Sequence, residues 1–217
     1  MLVKKWMTKD AITVDIHASL SDAIELLKRN KIRRLPVMDG DKLVGIVTDR
    51  DLKEASPSKV TSLDIWEVHY LLGKIKIKDI YHKNPITINE NATLEHAAIL
   101  MYDNKIGGLP VLNDDGELVG IITEQDVFEA LIRITGARVP SYRVSMCADD
   151  KERTIQDICD ILRDYDHKCI SILNTYYEVK PGKREIILRF QMSSEDKDKV
   201  LEILKGKYDN VHLIEEL

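Results

Sequence analysis

One sequence motif occurs twice in the chain, and each copy ends a longer stretch of similar sequence. The first copy, GIVTDRD, is Gly45–Asp51, and the second, GIITEQD, is Gly120–Asp126. Upstream of the motif, residues 1–37 and 75–111 are identical at 14 of 37 positions when aligned at an offset of 74. One additional residue within Asn113–Gly116 then changes the offset to 75. An internal repeat constrains a fold more than any single motif does. Because two copies are too few for a solenoid, we expect a pseudo-two-fold pair with two related sites.

Both copies have the same pattern of secondary-structure signals, in the order β-α-β-β-α. Ser19 and Asp22 have the spacing of a capping box before the first predicted helix, and Thr93 is placed to cap its counterpart. Apolar runs on either side of an Asp-Gly turn predict two strands in each copy, at residues 35–38 and 43–47 and at residues 109–112 and 118–122. A further helix should follow each motif, beginning at about Asp51 and Asp126. Such a repeat is too small to bury its own faces and should pair with its twin.

The remaining segments predict an insertion and a second domain. Residues 53–74 contain a break at Ser56–Ser58 and a helix start at Thr61–Asp64, which indicate an ordered helical insertion. Beyond Gly136–Pro140, the periodicity changes to the order βαββαβ, a ferredoxin-like arrangement. We therefore predict an α+β fold with repeat 1 and its insertion at residues 1–74, repeat 2 at 75–135, a linker at 136–140 and a C-terminal domain at 141–217.

Composition excludes several classes of function. The net charge of −5 predicts no general attraction to nucleic acid or anionic lipid. No apolar run approaches the length of a membrane span, so we expect a cytoplasmic protein. The chain has an odd number of cysteines, Cys147, Cys159 and Cys169, and no two of them form a Cys-x-x-Cys pair. The six histidines show no metal-ligand spacing. P-loop, His-Glu-x-x-His and Gly-x-Ser-x-Gly patterns do not occur, so we expect neither a metal site nor catalysis.

The chemistry of the repeated motif suits a ribose phosphate. Its glycine permits close backbone approach. Its threonine lies at a strand-to-helix turn, where free backbone N–H groups can meet an anion. Its final aspartate lies one helical turn further on and can accept hydrogen bonds from vicinal hydroxyls. The alternative is that threonine and aspartate only cap the helix, which is the commoner role of these residues at a helix start.

The motif and its context resemble a known family. Residues 1–135 resemble a tandem pair of CBS domains, a Bateman module, through the two Gly-h-h-Thr-x-x-Asp motifs (h is an apolar residue) and the Leu-Pro-Val strand before each. The resemblance implies a compact pair whose cleft holds up to two adenine nucleotides or related ligands, and a regulatory role. It also implies the same contacts in each repeat. Asp51 and Asp126 would bind ribose hydroxyls, Thr48 and Thr123 would bind ribose or phosphate, and the segments around Thr13 and Thr87 would contact adenine.

The two sites should differ, because the basic residues belong to one copy. Arg33-Arg34 precedes the first Leu-Pro-Val, whereas Gly107-Gly108 precedes the second, and Arg50 is matched by Gln125. Arginine binds phosphate bidentately, so with the resemblance we expect Arg33 or Arg34 to reach a phosphate; without it, both would be solvated surface residues. Gly107 and Gly108 should leave room for ligand or supply backbone donors. The sequence does not determine which cleft receives the arginines.

The C-terminal residues carry a second resemblance. Residues 137–217 resemble an ACT-type domain, which commonly dimerises through its sheet and often senses amino acids. The order CBS-CBS-ACT, with the insertion, resembles the AcuB group of proteins linked to acetoin utilisation. ACT domains that bind amino acids typically carry an Asp-x-x-Gly turn, but here the segment Asp149–Thr154 contains no glycine. We therefore expect this domain to act mainly in dimerisation.

Three functional hypotheses follow. The leading one is a non-catalytic homodimeric regulator that binds AMP, ADP, ATP or another adenosyl ligand in the paired-repeat cleft and acts on an unidentified partner protein. The second is a dimeric interaction scaffold that is indifferent to nucleotides. The third is an amino-acid sensor that uses the ACT-like domain.

Overall fold

The computed structural model describes residues 1–56 and 72–216. The chain divides into two compact units, residues 1–127 and residues 128–217. The helix start predicted at Thr61–Asp64 lies outside the described residues.

The first unit contains both repeats, and in each the predicted β-α-β-β-α order follows one additional short strand. In the first repeat the elements are β1 (Thr8–Lys9), β2 (Val14–Asp15), α1 (Leu20–Asn30), β3 (Arg34–Asp39), β4 (Lys42–Thr48) and α2 (Asp49–Ala55). In the second they are β5 (His82–Lys83), β6 (Ile88–Asn89), α3 (Leu94–Asn104), β7 (Gly108–Leu112), β8 (Leu118–Thr123) and α4 (Glu124–Thr135), whose C-terminal part belongs to the second unit. A 3-10 turn precedes each first strand, at Val3–Lys5 and Ile77–Asp79. The helices after the motifs begin two residues earlier than predicted, because the motif threonine ends the strand and the helix starts directly after it.

Local signals determine where the repeat helices begin and end. Ser19 forms the predicted capping box with Asp22 at the start of α1, and the Thr93 hydroxyl accepts from the backbone N–H of His96 at the start of α3. Both helices end on a lysine in the left-handed conformation, Lys31 and Lys105, each with φ of 54°. A left-handed residue satisfies the last free carbonyl groups of a helix and turns the chain toward the next strand.

Each repeat gives its first short strand to the sheet of the other repeat. Strand β5 pairs with β4 of the first repeat, with His82 opposite Ile46, and β1 pairs with β8 of the second repeat, with Thr8 opposite Ile121. The two four-stranded sheets therefore have the orders β2-β3-β4-β5 and β6-β7-β8-β1. Ile77, which precedes β5, is fully buried in the core of the first repeat. The repeats thus fold as one unit with reciprocally exchanged strands.

The motif glycines explain how this exchange is accommodated. A Cβ atom on Gly45 would lie 2.5 Å from the carbonyl oxygen of His82, and one on Gly120 would lie 2.6 Å from that of Thr8. Both distances are shorter than real Cβ contacts allow. These glycines therefore permit a close backbone approach, and the approaching backbone is that of the exchanged strand.

The second unit contains the predicted series of elements around an antiparallel sheet. They are β9 (Ser141–Asp149), α5 (Thr154–Arg163), β10 (Lys168–Thr175), β11 (Lys183–Gln191), α6 (Ser194–Lys207) and β12 (Asp209–Glu216). The strand order is β10-β11-β9-β12, and every neighbouring pair is antiparallel. The core joins Met146, Leu188 and Phe190 of the sheet to Ile158 of α5 and Leu204 of α6. In neither unit does a described helix have the length and apolar character needed to cross a membrane.

Candidate functional site

The threonine and aspartate of each motif bind each other at the start of a helix. Thr48 is the N-cap of α2, and its backbone N–H and hydroxyl donate to Oδ2 of Asp51 at 2.8 and 2.7 Å. Thr123 donates to Oδ2 of Asp126 in the same way, at 2.7 Å for both bonds. The capping role is therefore real, but it uses only one oxygen of each carboxylate. The second oxygen, Oδ1, takes no part in either capping arrangement.

The surroundings of Oδ1 differ between the two motifs. The Nε2 atom of His82 lies 3.0 Å from Oδ1 of Asp51. For Oδ1 of Asp126, no hydrogen bond is formed within residues 1–56 and 72–216. Burial alone would raise the pKa of Asp51, but hydrogen bonds from Thr48 and His82 outweigh it and hold that pKa below its ordinary value. Asp51 is thus an ionised acceptor already bonded on both oxygens, whereas Asp126 keeps one oxygen available.

Arg34 extends from the first repeat to the glycine pair of the second. Arg34 lies opposite Thr48 in the β3–β4 ladder, and its counterpart Gly108 lies opposite Thr123 in the β7–β8 ladder. A Cβ atom on Gly107 would lie 2.6 Å from Nη2 of Arg34, and one on Gly108 would overlap Nη1. The guanidinium therefore occupies the space that a side chain at either glycine would need. The two glycines were predicted to leave room for ligand or to supply backbone donors; in the protein alone, the space beside them holds the Arg34 guanidinium.

The guanidinium of Arg34 is partly buried among charged groups from both motifs. Burial lowers the pKa of Arg34, the nearby carboxylate of Glu124 opposes this effect, and Arg33 adds to it. Arginine nevertheless stays protonated in proteins. Asp49 and Asp126 also contribute attraction to the guanidinium. Its Nη1 atom is buried and has no hydrogen-bond partner in the described part of the chain. A charged, incompletely bonded donor therefore lies between the two motifs.

The remaining predicted site residues are two arginines of the first repeat and the threonines before β2 and β6. Arg33 is exposed, and its carbonyl oxygen accepts from the N–H of Asp49 at 2.9 Å. The Arg50 side chain is 84% exposed and forms an ion pair with Glu54 at 2.9 Å along α2. Thr13 and Thr87 are half-buried just before β2 and β6, and neither hydroxyl is hydrogen-bonded to the residues that the structure describes. The structure therefore brings Arg34, Gly107, Gly108, Thr123 and Asp126 together, and it directs Arg50 along the surface of α2.

Two neighbours of the motifs were not predicted as site residues. Sequence order places His82 beside the second repeat, but strand exchange brings it to Asp51 of the first. Glu124 approaches Arg34 because α4 begins at the motif of the second repeat. The repeat offset of 74 contains a signal that could have identified His82, because it makes His82 the counterpart of Thr8, and both residues lie in the exchanged strands. In the described residues, no group of three or more His, Cys, Asp or Glu side chains is arranged to hold a metal ion.

Fold and site together define a tandem-repeat module in which two β-α-β-β-α copies share their strands and each copy presents a Thr–Asp pair. Comparison with family models assigns the module: the CBS domain model matches residues 3–58 and 77–133, more than half of the chain. The chain therefore belongs to the CBS-domain family.

Known proteins with the same module support this assignment. A CBS domain-containing protein of Dictyostelium discoideum is 38% identical over 135 residues, which cover 62% of this chain and 93% of the relative. Among solved structures, CBSX2 of Arabidopsis thaliana in complex with AMP is 34% identical with a TM-score of 0.51, covering 62% of this chain and 98% of CBSX2.

Two further structures are similar over the same extent of chain. The CBS domain pair of protein MJ0100, in complex with 5'-methylthioadenosine and S-adenosyl-L-methionine, is 32% identical with a TM-score of 0.50 over 60% of this chain and 95% of that pair. A Vibrio cholerae protein named for acetoin utilization, AcuB, is 31% identical with a TM-score of 0.52 over 64% of this chain and 95% of AcuB. CBS pairs related to this one thus bind adenosyl ligands, and an AcuB protein is among its structural neighbours.

Proposed function

We propose that the CBS pair of this chain binds an adenine nucleotide or another adenosyl ligand and acts as a non-catalytic regulatory module. The observation that carries the proposal is the arrangement at the second motif. Asp126 keeps Oδ1 outside its capping bonds, and the guanidinium of Arg34 lies within electrostatic reach of Asp126 with one buried nitrogen that has no partner among the described residues. Related CBS pairs that bind AMP or S-adenosyl-L-methionine add support.

The chemistry of the site matches the two polar parts of such a ligand. Vicinal ribose hydroxyls are donors, and Oδ1 of the Asp126 carboxylate is an acceptor. Phosphate oxygens are acceptors, and a guanidinium is the donor that best matches their geometry. A buried donor without a partner costs about 1–3 kcal/mol, so a phosphate that bonded to Arg34 would recover part of that cost. Arg34 would also offset the repulsion between a phosphate and the nearby Glu124.

Regulation would follow from a difference in ligand affinity between two arrangements of the CBS pair, since a ligand shifts an equilibrium only by that difference. We propose that occupancy is transmitted through a cytoplasmic homodimer to an unidentified partner protein. The C-terminal unit would act as an ACT-type dimerisation domain in an AcuB-like chain. Its antiparallel β10-β11-β9-β12 sheet and βαββαβ order favour that assignment.

Calorimetry with AMP, ADP and ATP tests the proposal. The wild-type chain should bind at least one of the three nucleotides, and the double variant Asp51→Ala plus Asp126→Ala should bind none. Each substitution also removes the acceptor for the capping threonine, and a lost capping interaction costs about 0.5–2 kcal/mol of stability. Asp22→Ala is the matched control, because Asp22 accepts from Ser19 at 3.0 and 2.7 Å in the same capping geometry away from the motifs. A folded wild-type protein that binds no nucleotide, or a double variant that binds as well as wild type, contradicts the proposal.

A second candidate is the interaction scaffold that is indifferent to nucleotides. The observation in its favour is that in both motifs the threonine hydroxyl is already bonded to the aspartate at the start of the helix in the protein alone. It predicts the same oligomeric state and the same unfolding midpoint with and without AMP. Sedimentation and thermal unfolding in the presence of AMP therefore separate the two candidates.

The amino-acid sensor depends on the β9–α5 turn of the second unit. There, Lys151 and Lys183 each lie 2.8 Å from a carboxylate oxygen of Asp149. These charged groups, which could recognise the ends of an amino acid, are paired with each other. The sensor hypothesis therefore gains no support from the turn.

A further inference from the structure

The two motif carboxylates have identical capping bonds but different neighbours on their remaining oxygen. His82 is bonded to Oδ1 of Asp51, and the Asp51 side chain is only 14% exposed. No described residue bonds to Oδ1 of Asp126. A ribose that approached Asp51 would therefore meet an acceptor already in use.

Strand exchange is the cause of this difference. His82 lies in β5 opposite Ile46 of β4, two residues before Thr48. At the equivalent place in the second sheet, Thr8 of β1 lies opposite Ile121, two residues before Thr123. Each motif thus faces one side chain from the exchanged strand. The histidine reaches the aspartate, whereas the hydroxyl of the shorter threonine forms no hydrogen bond within the described residues.

We infer that His82 is a specificity-determining residue that makes the Asp51 site the weaker of the two ribose sites. The inference rests on the proposed function and adds to it an order of filling: the Asp126 site fills first. A ribose at Asp51 competes with His82 for Oδ1, so the ligand gains the full strength of this contact only when the His82–Asp51 hydrogen bond is broken. The exchange is possible because the His82 side chain is 67% exposed and can turn into solvent. A bond of this kind corresponds to an affinity difference of roughly tenfold.

The exchanged positions supply reciprocal variants. His82→Thr gives the first site the residue of the second, and Thr8→His does the reverse. His82→Gln keeps a donor that can bond to Asp51. The probe is AMP, measured by calorimetry on the full chain, and Asp51→Asn and Asp126→Asn assign each binding event to its site. Both exchanged positions are exposed on short edge strands, so folding is checked by circular dichroism and the urea midpoint.

Two classes of AMP site are expected in wild type, with the tighter one lost in Asp126→Asn. His82→Thr should tighten the Asp51-dependent site by about tenfold, His82→Gln should leave it weak, and Thr8→His should weaken the Asp126-dependent site. The inference is overturned if AMP binding is detected but His82→Thr leaves the Asp51-dependent site unchanged. It is also overturned if that variant weakens the site, since His82 would then be a ligand contact. Failure of wild type to bind AMP, ADP or ATP instead contradicts the proposed function on which the inference rests.

Discussion

Gly108→Ala should destabilise the first unit, and Arg34 should account for part of the effect. The new Cβ atom would overlap Nη1 of Arg34 and lie 2.9 Å from the carbonyl oxygen of Ile122. A guanidinium is the end of a flexible side chain and can move, whereas the carbonyl belongs to strand β8. Overfilling a packed site costs about 1–3 kcal/mol, and we expect the change in unfolding free energy to fall in that range.

Two further variants separate the part of this cost that comes from Arg34 from the part that comes from the Ile122 carbonyl group. Gly107→Ala is the matched control, because its Cβ atom would meet only side-chain ends, Nη2 of Arg34 at 2.6 Å and Oε2 of Glu124 at 3.1 Å. It should cost less than about 1 kcal/mol. Arg34→Ala removes a buried nitrogen that has no partner among the described residues, so by itself it should change stability little. When combined with Gly108→Ala, it should reduce the cost by about 1 kcal/mol, while the contact with Ile122 remains.

Urea unfolding followed by tryptophan fluorescence measures these differences in the full chain. Trp6 belongs to the first unit, so a change in its fluorescence reports on the unfolding of that unit. The slope of free energy against urea should be the same in all variants, which makes the midpoint a measure of stability. The reasoning is refuted if Gly108→Ala is as stable as wild type. It is also refuted if the cost of that substitution is unaffected by Arg34→Ala, because Arg34 would then not lie against the glycine.

Three other outcomes are expected. Arg34→Ala should weaken AMP binding at least about tenfold but adenosine binding only slightly, because only AMP carries a phosphate for the guanidinium; equal losses in calorimetry would contradict a phosphate role. Gly45→Ala should cost about 1–3 kcal/mol in urea unfolding, since its Cβ atom would meet backbone of the exchanged strand, and wild-type stability would exclude that contact. Lys151 and Lys183 lower the pKa of Asp149 from 3.8 to about 2. The ion pairs of Asp149 therefore stabilise the folded second unit above pH 3.8, and this stabilisation is lost as the pH falls toward 2. Asp149→Asn should therefore lessen the acid destabilisation of the second unit, and an unchanged acid limb in circular dichroism would count against the pairing.

Local structure in this chain could be predicted because it depends on neighbouring residues. The Ser19–Asp22 box, the strands around the Asp-Gly turns and the βαββαβ order all follow from spacing within about ten residues. Backbone capping and alternating burial act over the same short range. The predicted starts of the helices after Thr48 and Thr123 are two residues late, because the motif aspartate occupies the third helical position and not the first.

Strand exchange could not be predicted from the same signals. The offset of 74 identifies which segments are equivalent, but two equivalent segments can each pair within their own copy or with the other copy, and the hydrophobic pattern is the same in both arrangements. The pairings of β5 with β4 and of β1 with β8 depend on tertiary contacts, such as the burial of Ile77 in the first core. For the same reason the site residues could be identified from the motif, but the contact of His82 with Asp51 could not.

The pseudo-two-fold relation explains which residues of the duplication had to diverge. Arg34 and Gly108 are equivalent positions, and they lie against each other, so they are close to the axis that relates the repeats. Two arginines there would place like charges in one partly buried space, and two glycines would leave no cation beside the acidic groups of the motifs. One large basic side chain and one glycine satisfy both requirements. Thr48 and Thr123, by contrast, each bond to the aspartate of their own copy, so the same residue serves in both. Contact between equivalent positions therefore favours a difference between the two copies at the axis. This argument predicts that Gly108→Arg destabilises the first unit in urea unfolding, and that adding Arg34→Gly restores part of the lost stability.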